Sequence, residues 1–120
     1  MTESARQKFL VLYLVPTAVI DEWAKTDPAT RQPAEQKMRA DWGQWMSDHA
    51  GMVLSTEAGG ATKRVTAAGG VEDARNEIML YSIVEADSHE AAAKAFENHP
   101  HLGIPRSSIE VMAVRAMGGM

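Results

Sequence analysis

Cysteine is absent from all 120 residues. That gap excludes thiol nucleophiles, CxxC redox pairs, thiolate metal sites and disulfides, and it is compatible with a reducing compartment. An excess of basic residues is missing too: 12 Lys and Arg stand against 16 Asp and Glu, for a formal net charge of -4. The electrostatic footprint that phosphate backbones require is therefore lacking, and nucleic acid is not an expected partner. No apolar run reaches the ~20 residues of a transmembrane helix, so no membrane partner is expected either. Arg6 and Lys8 ahead of residues 9–15 imitate a signal peptide, yet Glu3 interrupts the basic segment and no small-x-small cleavage site follows. A short buried strand is the reading taken, and the cytoplasm is the expected location. GxSxG, HExxH and P-loop patterns are also missing, as are internal repeats and low-complexity runs. No reaction follows from the residues, and no cofactor is expected.

What is present is an ordinary globular composition, 45% hydrophobic and 23% charged, enough for one domain over residues 1–120 with flexible ends at 1–7 and 118–120. The most complete unit lies near the C-terminus. Asp87 or Ser88 caps a helix, Glu90 follows Asp87 at capping-box spacing, and Ala92, Ala95, Phe96 and His99 recur at helical intervals until Pro100. The strand SSIEVMAVR then sets Ile109, Val111 and Ala113 on one face and Glu110, Met112 and Val114 on the other. Residues 9–15 (FLVLYLV) and 78–84 (IMLYSIV) read as central strands, apolar on both sides.

Pro33 suits the start of a helix running to about Ala50, with Gly51 as its stop. Met38, Trp42, Trp45, Met46 and His49 form its apolar stripe, and His49 caps its negative end. Before it, Val19, Ile20 and Trp23 offer a short helical turn, either a lid or a packed connector anchored by Trp23. Residues 52–57 and 62–66 around Ala58-Gly59-Gly60-Ala61 read as a hairpin, and 71–77 as an exposed connector.

This order predicts an α+β fold: a ferredoxin-like βαββαβ sheet with both helices on one face and a short extra strand. The bare face is expected to carry Phe9, Val11, Met112 and Val114, a larger apolar patch than soluble monomers tolerate. A second copy is expected to cover it, giving a homodimer of the dimeric α/β-barrel kind. A one-residue register error would exchange the two faces.

The residues able to carry chemistry are few. His99 and His101 flank Pro100; one can finish the helix while the other packs the turn, or the pair can form a polar or acid/base site, or a metal site for which no third ligand is identifiable. Glu110 interrupts an apolar strand face, as a proton-transfer carboxylate or as an edge or ion-paired residue, with Arg106 and Arg115 as candidate partners. Tyr13 and Tyr81 bring hydroxyls from the central strands, and Ser82 a smaller one. The expected pocket is lined by Tyr13, Trp42, Tyr81, His99, His101 and Glu110 and takes a small, largely apolar molecule. The alternatives are a lyase or isomerase with Glu110 or His101 as general base, and a protein-interaction module.

Lys8-Phe-Leu-Val-Leu-Tyr13, WGQWMSDHAGMVL from Trp42, YSIVEADSHEAA from Tyr81, and Ile109-Glu-Val with Arg115 together resemble the YCII-related proteins, in particular their DGPF branch. The resemblance covers roughly residues 8–117 and implies a dimeric α+β barrel. Members similar to enzymes carry a histidine in the first long helix paired with an aspartate; here Ala40, Asp41 and Trp42 stand where that histidine is expected. Ala67-Ala-Gly-Gly-Val71 occupies the loop of the Asp-Gly-Pro-Phe signature. The resemblance therefore transfers no catalytic role.

Overall fold

The computed structural model describes residues 6–118. The elements in chain order are β1 (Gln7–Leu14), α1 (Thr17–Ala24), α2 (Pro28–Asp48), β2 (Val53–Ala58), β3 (Thr62–Val65), β4 (Val71–Ala74), β5 (Ile78–Ala86), α3 (His89–Lys94), a 3-10 turn (Pro100–Gly103) and β6 (Ser108–Ala113). Four strands make one antiparallel sheet in the order β2-β5-β1-β6, and β3 with β4 makes a separate two-stranded sheet. The result is an α+β protein compatible with a ferredoxin-like fold. Of the ends, residues 1–5, 119 and 120 lie outside the described part; Gln7 already belongs to β1, and the Arg6 guanidinium donates to the Gly51 and Glu85 carbonyls.

β1 lies in the middle because a run of β-formers apolar on both faces is stable only with a strand on each side and cover above. The core packs against one face only: Phe9, Val11 and Tyr13 of β1 and Val84 and Ala86 of β5 meet Trp45 of α2 and Ala92 and Phe96 from the α3 segment. Thus both α2 and the α3 segment cover the same side of the sheet. This corrects the expected parity. Phe9 and Val11 are fully buried beneath the helices, while the bare face carries Leu10, Leu12 and Leu14. Met112 and Val114 remain on it, 51% and 48% exposed, and the rung Ile83–Leu10–Met112 crosses three strands there. The strand is apolar in both sets, so its sequence carries no preference for either face; helix cover decides.

Two further expectations are overturned. α2 starts at Pro28 and runs through Pro33, rather than beginning there. Pro28 sits at N1, where its missing N–H has no partner to lose, and Pro33 forfeits only one ladder bond, to the Ala29 carbonyl. The supposed hairpin of residues 52–57 with 62–66 is not formed: β2 pairs with β5, and β3 pairs with β4, so part of the expected connector is a strand. The turn glycines are accordingly Gly69 and Gly70, at φ 97° and 85°, whereas Gly59 serves close approach. Its N–H donates to the Met79 carbonyl at 2.7 Å, and a Cβ there would lie 3.0 Å from the Ile78 oxygen.

The caps follow local chemistry. Ser88 is the N-cap of α3, its hydroxyl accepting from the Ala91 N–H at 3.0 Å. Glu90 pairs with Lys94 instead of closing a capping box. α3 stops early, at Lys94; the following turns tighten and Asn98 takes a left-handed conformation, φ 62°, that Asn tolerates better than most residues. At the end of α2 the His49 ring donates from Nδ1 to the Trp45 carbonyl at 2.8 Å, as expected of a C-terminal cap. Trp23 is 38% exposed and donates to Glu35, so Val19 rather than Trp23 is the buried residue of α1.

Candidate functional site

The helix-covered face gathers four of the six expected site residues: Tyr13, Trp42, His99 and His101. Tyr13 stands at the centre, with ring centroids 4.9 Å from Trp42, 5.4 Å from His99 and 5.5 Å from His101. Trp42 meets His99 edge-on at 4.4 Å, and Trp45 closes the other side of the same imidazole at 4.6 Å. β1 supplies Tyr13, the α2 stripe supplies both tryptophans one turn apart, and the segment after α3 supplies both histidines.

The polar atoms form two short systems. Tyr13 Oη and Ser82 Oγ are 2.9 Å apart, and Ser82 Oγ and Thr56 Oγ1 2.7 Å, so a line of hydroxyls crosses from β1 to β5 to β2. Burial pushes the Tyr13 phenol above its ordinary value, partly offset by the bond to Ser82, and the phenol stays protonated.

In the second system the His101 N–H donates to His99 Nδ1 at 3.0 Å, and the His101 Nε2–H donates to the Leu14 carbonyl at 3.0 Å. Since Nδ1 of His99 accepts, its neutral ring carries the proton on Nε2. That Nε2 is buried and finds no hydrogen-bond partner among the described residues. Burial foremost, then the neighbouring His101 and His49, lowers the His99 pKa to about 4. His101 is lowered too, by burial, with its bond to the Leu14 carbonyl acting in the opposite sense. At neutral pH His99 thus presents a hydrogen-bond donor inside an aromatic enclosure, and its lone pair is already taken.

Tyr81 and Glu110 lie elsewhere. Each is registered with Leu12, from β5 and β6 respectively, which places both on the bare face, Tyr81 37% exposed and Glu110 exposed. The sheet separates them from the histidines. Glu110 therefore does not share an enclosure with His101; it lies on the edge strand β6, as one alternative had it, and no salt bridge to it occurs among the described residues. Asp41, near the position of the missing dyad, accepts from Lys37 at 2.7 Å on the outer side of α2. No group of three His, Asp or Glu side chains able to hold a metal occurs among the described residues, and no described helix is long and apolar enough to cross a membrane.

Thr56 escaped the sequence reading because β2 looked like half of a hairpin. Ser82 was visible as the one small polar residue in IMLYSIV, and its spacing of two from Val84 would have placed it on the core face once that face was known. Comparison of the sequence with family models finds no match, and comparison with curated proteins finds none.

Proposed function

We propose that the protein is a homodimer of the YCII-related, dimeric α/β-barrel kind, its main sheet ferredoxin-like, that binds a small, largely apolar molecule beside Tyr13, Trp42, His99 and His101. The observation that carries the ligand half is the Nε2–H of His99, buried between Trp42, Trp45 and Tyr13 with no hydrogen-bond partner among the described residues. An unmet buried donor costs on the order of 1–3 kcal/mol. A planar molecule with an acceptor oxygen satisfies it once Trp42, the half-buried wall of the enclosure, moves aside. His101 and Glu110 make poor general bases in this arrangement, the first tied to Leu14 and the second exposed on the other face, so binding is favoured over proton abstraction.

The homodimer half rests on shape. The molecule is only 19 Å across its thinnest dimension, one sheet and one helix layer, with a radius of gyration of 17.1 Å against about 14 Å for a compact chain of this length. It exposes 8443 Å². A compact monomer of its mass exposes about 6,400 Å², so the excess is on the order of 2,000 Å² per chain. Leu10, Leu12, Ile83 and Met112 form the apolar centre of the uncovered face.

Native mass spectrometry of the freshly purified protein tests both halves at once. A dimer that takes up a planar carbonyl or phenolic probe, and loses that uptake in His99→Phe, is the expected result. A monomer, or uptake unaltered by His99→Phe, would refute the corresponding half.

A further inference from the structure

The β3–β4 hairpin is tied at its foot, where Arg75 reaches Asp21 of α1, but among the described residues nothing holds its tip. Two-stranded hairpins are marginally stable at best in water, and this one forms a sheet of its own, outside the four-stranded sheet. Its cross-strand pairs are internally neutral: Lys63 with Asp73, and Arg64 with Glu72. The charges therefore satisfy one another and offer a partner no net sign. At the tip, Val65 and Val71 face each other in register, 74% and 68% exposed, beside the loop of Thr66 to Gly70. Two β-branched residues placed opposite each other fit a pleated, covered surface, not a solvated one.

What covers them follows from area. A sheet of four strands about 4.8 Å apart and six to nine residues long presents a face of roughly 20 × 25 Å, about 500 Å². A stable interface takes about 800 Å² from each partner, so pairing through the bare face alone falls short, while the excess surface of this chain is on the order of 2,000 Å². A second surface must join the first. The α1–α2 pair is the other projecting element, but it is held from within, by Trp23 on Glu35 and by Arg31 on the Ala24 carbonyl. Among the described residues the hairpin has no such ties at its tip.

We infer that the β3–β4 hairpin is an arm that lies against a second copy of this chain, with Val65 and Val71 seated on that copy's apolar surface. This rests on the homodimer reading above and extends it from one face to two. In a symmetric pair each chain gives an arm and receives one, so the tip residues count twice in the assembly. Internal charge pairing suits this role, because an arm with a net charge would meet its own like charge across the two-fold.

The test compares the full-length chain with its Val65→Lys/Val71→Lys variant by analytical ultracentrifugation from nanomolar to micromolar concentration. Both positions are outside the core, and an unchanged near-UV signal from Trp45 certifies the variant's fold. The dimer dissociation constant is expected to rise at least about 100-fold, since four apolar side chains per dimer lose their cover. Hydrogen exchange adds an independent readout: the amides of β3 and β4 should be protected in the dimer and lose protection on dilution, with the main sheet unchanged. A variant that dimerises with wild-type affinity, with hairpin amides that exchange fast at every concentration, would overturn the arm and leave the homodimer standing. A wild-type chain that stays monomeric throughout overturns both.

Discussion

Acidification should weaken this protein through His99 in a calculable way. The folded ring has a pKa of about 4 and the unfolded one the ordinary 6.5. Below pH 6.5 the unfolded chain takes up a proton that the folded chain refuses, so stability falls as pH falls; the loss starts near 6.5 and is complete once pH passes below about 4. Integrating between those limits gives about 2 kcal/mol per chain lost between pH 7.5 and 5, and about 3 kcal/mol in full. His101, held low by burial as well, adds in the same direction. His99→Asn separates the two, because an Asn Oδ1 stands close to the Nδ1 position and can still accept from the His101 N–H while titrating at no pH. Urea unfolding of both proteins at pH 7.5, 6.5, 5.5 and 5.0 should show the wild-type advantage shrinking by about 2 kcal/mol across the series. A difference constant with pH, or a His99 ring resonance titrating near 6.5, would refute the burial argument.

Two other substitutions test the packing directly. Trp45→Ala removes an indole stacked 4.0 Å from His49 and set 4.9 Å from Phe96, and it should destabilise by about 3–5 kcal/mol in equilibrium unfolding; a loss below 1 kcal/mol would mean that α2 does not cover the sheet as described. Ser88→Ala deletes the acceptor for the Ala91 N–H and should cost about 1 kcal/mol, with Ser88→Asp recovering most of it; equal stability of all three proteins would show that the cap contributes nothing.

The legible parts of the sequence were those where one local rule acts alone. Residues 9–15 and 78–84 are strands wherever they are put, and Trp42, Trp45 and Met46 at helical spacing form the stripe that packs on the core. Ser88 and His49 cap helix ends because their side chains reach backbone groups within four residues. Apart from the bounds and caps of α2 and α3, the failures share one cause: each needed a partner distant in the chain. Gly59-Gly60 and Gly69-Gly70 look alike in sequence, yet one pair marks the departure from β2 beside Met79 and the other turns a hairpin, a choice made by β5 taking β2 as its neighbour. Pro33 reads as a helix start until Pro28 is seen to begin the same helix five residues earlier.

The candidate site divides along the same line. Sequence alone named Tyr13, Trp42, His99 and His101 as residues of chemical interest, from their types and their places on a central strand, a helix stripe and a helix end. Whether Tyr81 and Glu110 belonged with them depended on side-chain parity, which a strand apolar on both faces does not encode. Tertiary structure decided it, by laying α2 and the α3 segment over Phe9, Val11 and Tyr13 and leaving Leu10, Leu12 and Leu14 bare. Composition and period thus determined the central strands and the main helices, because those preferences act within a few residues. Only the packing of distant segments determined which side of each strand became the interior, because burial is a property of what lies opposite.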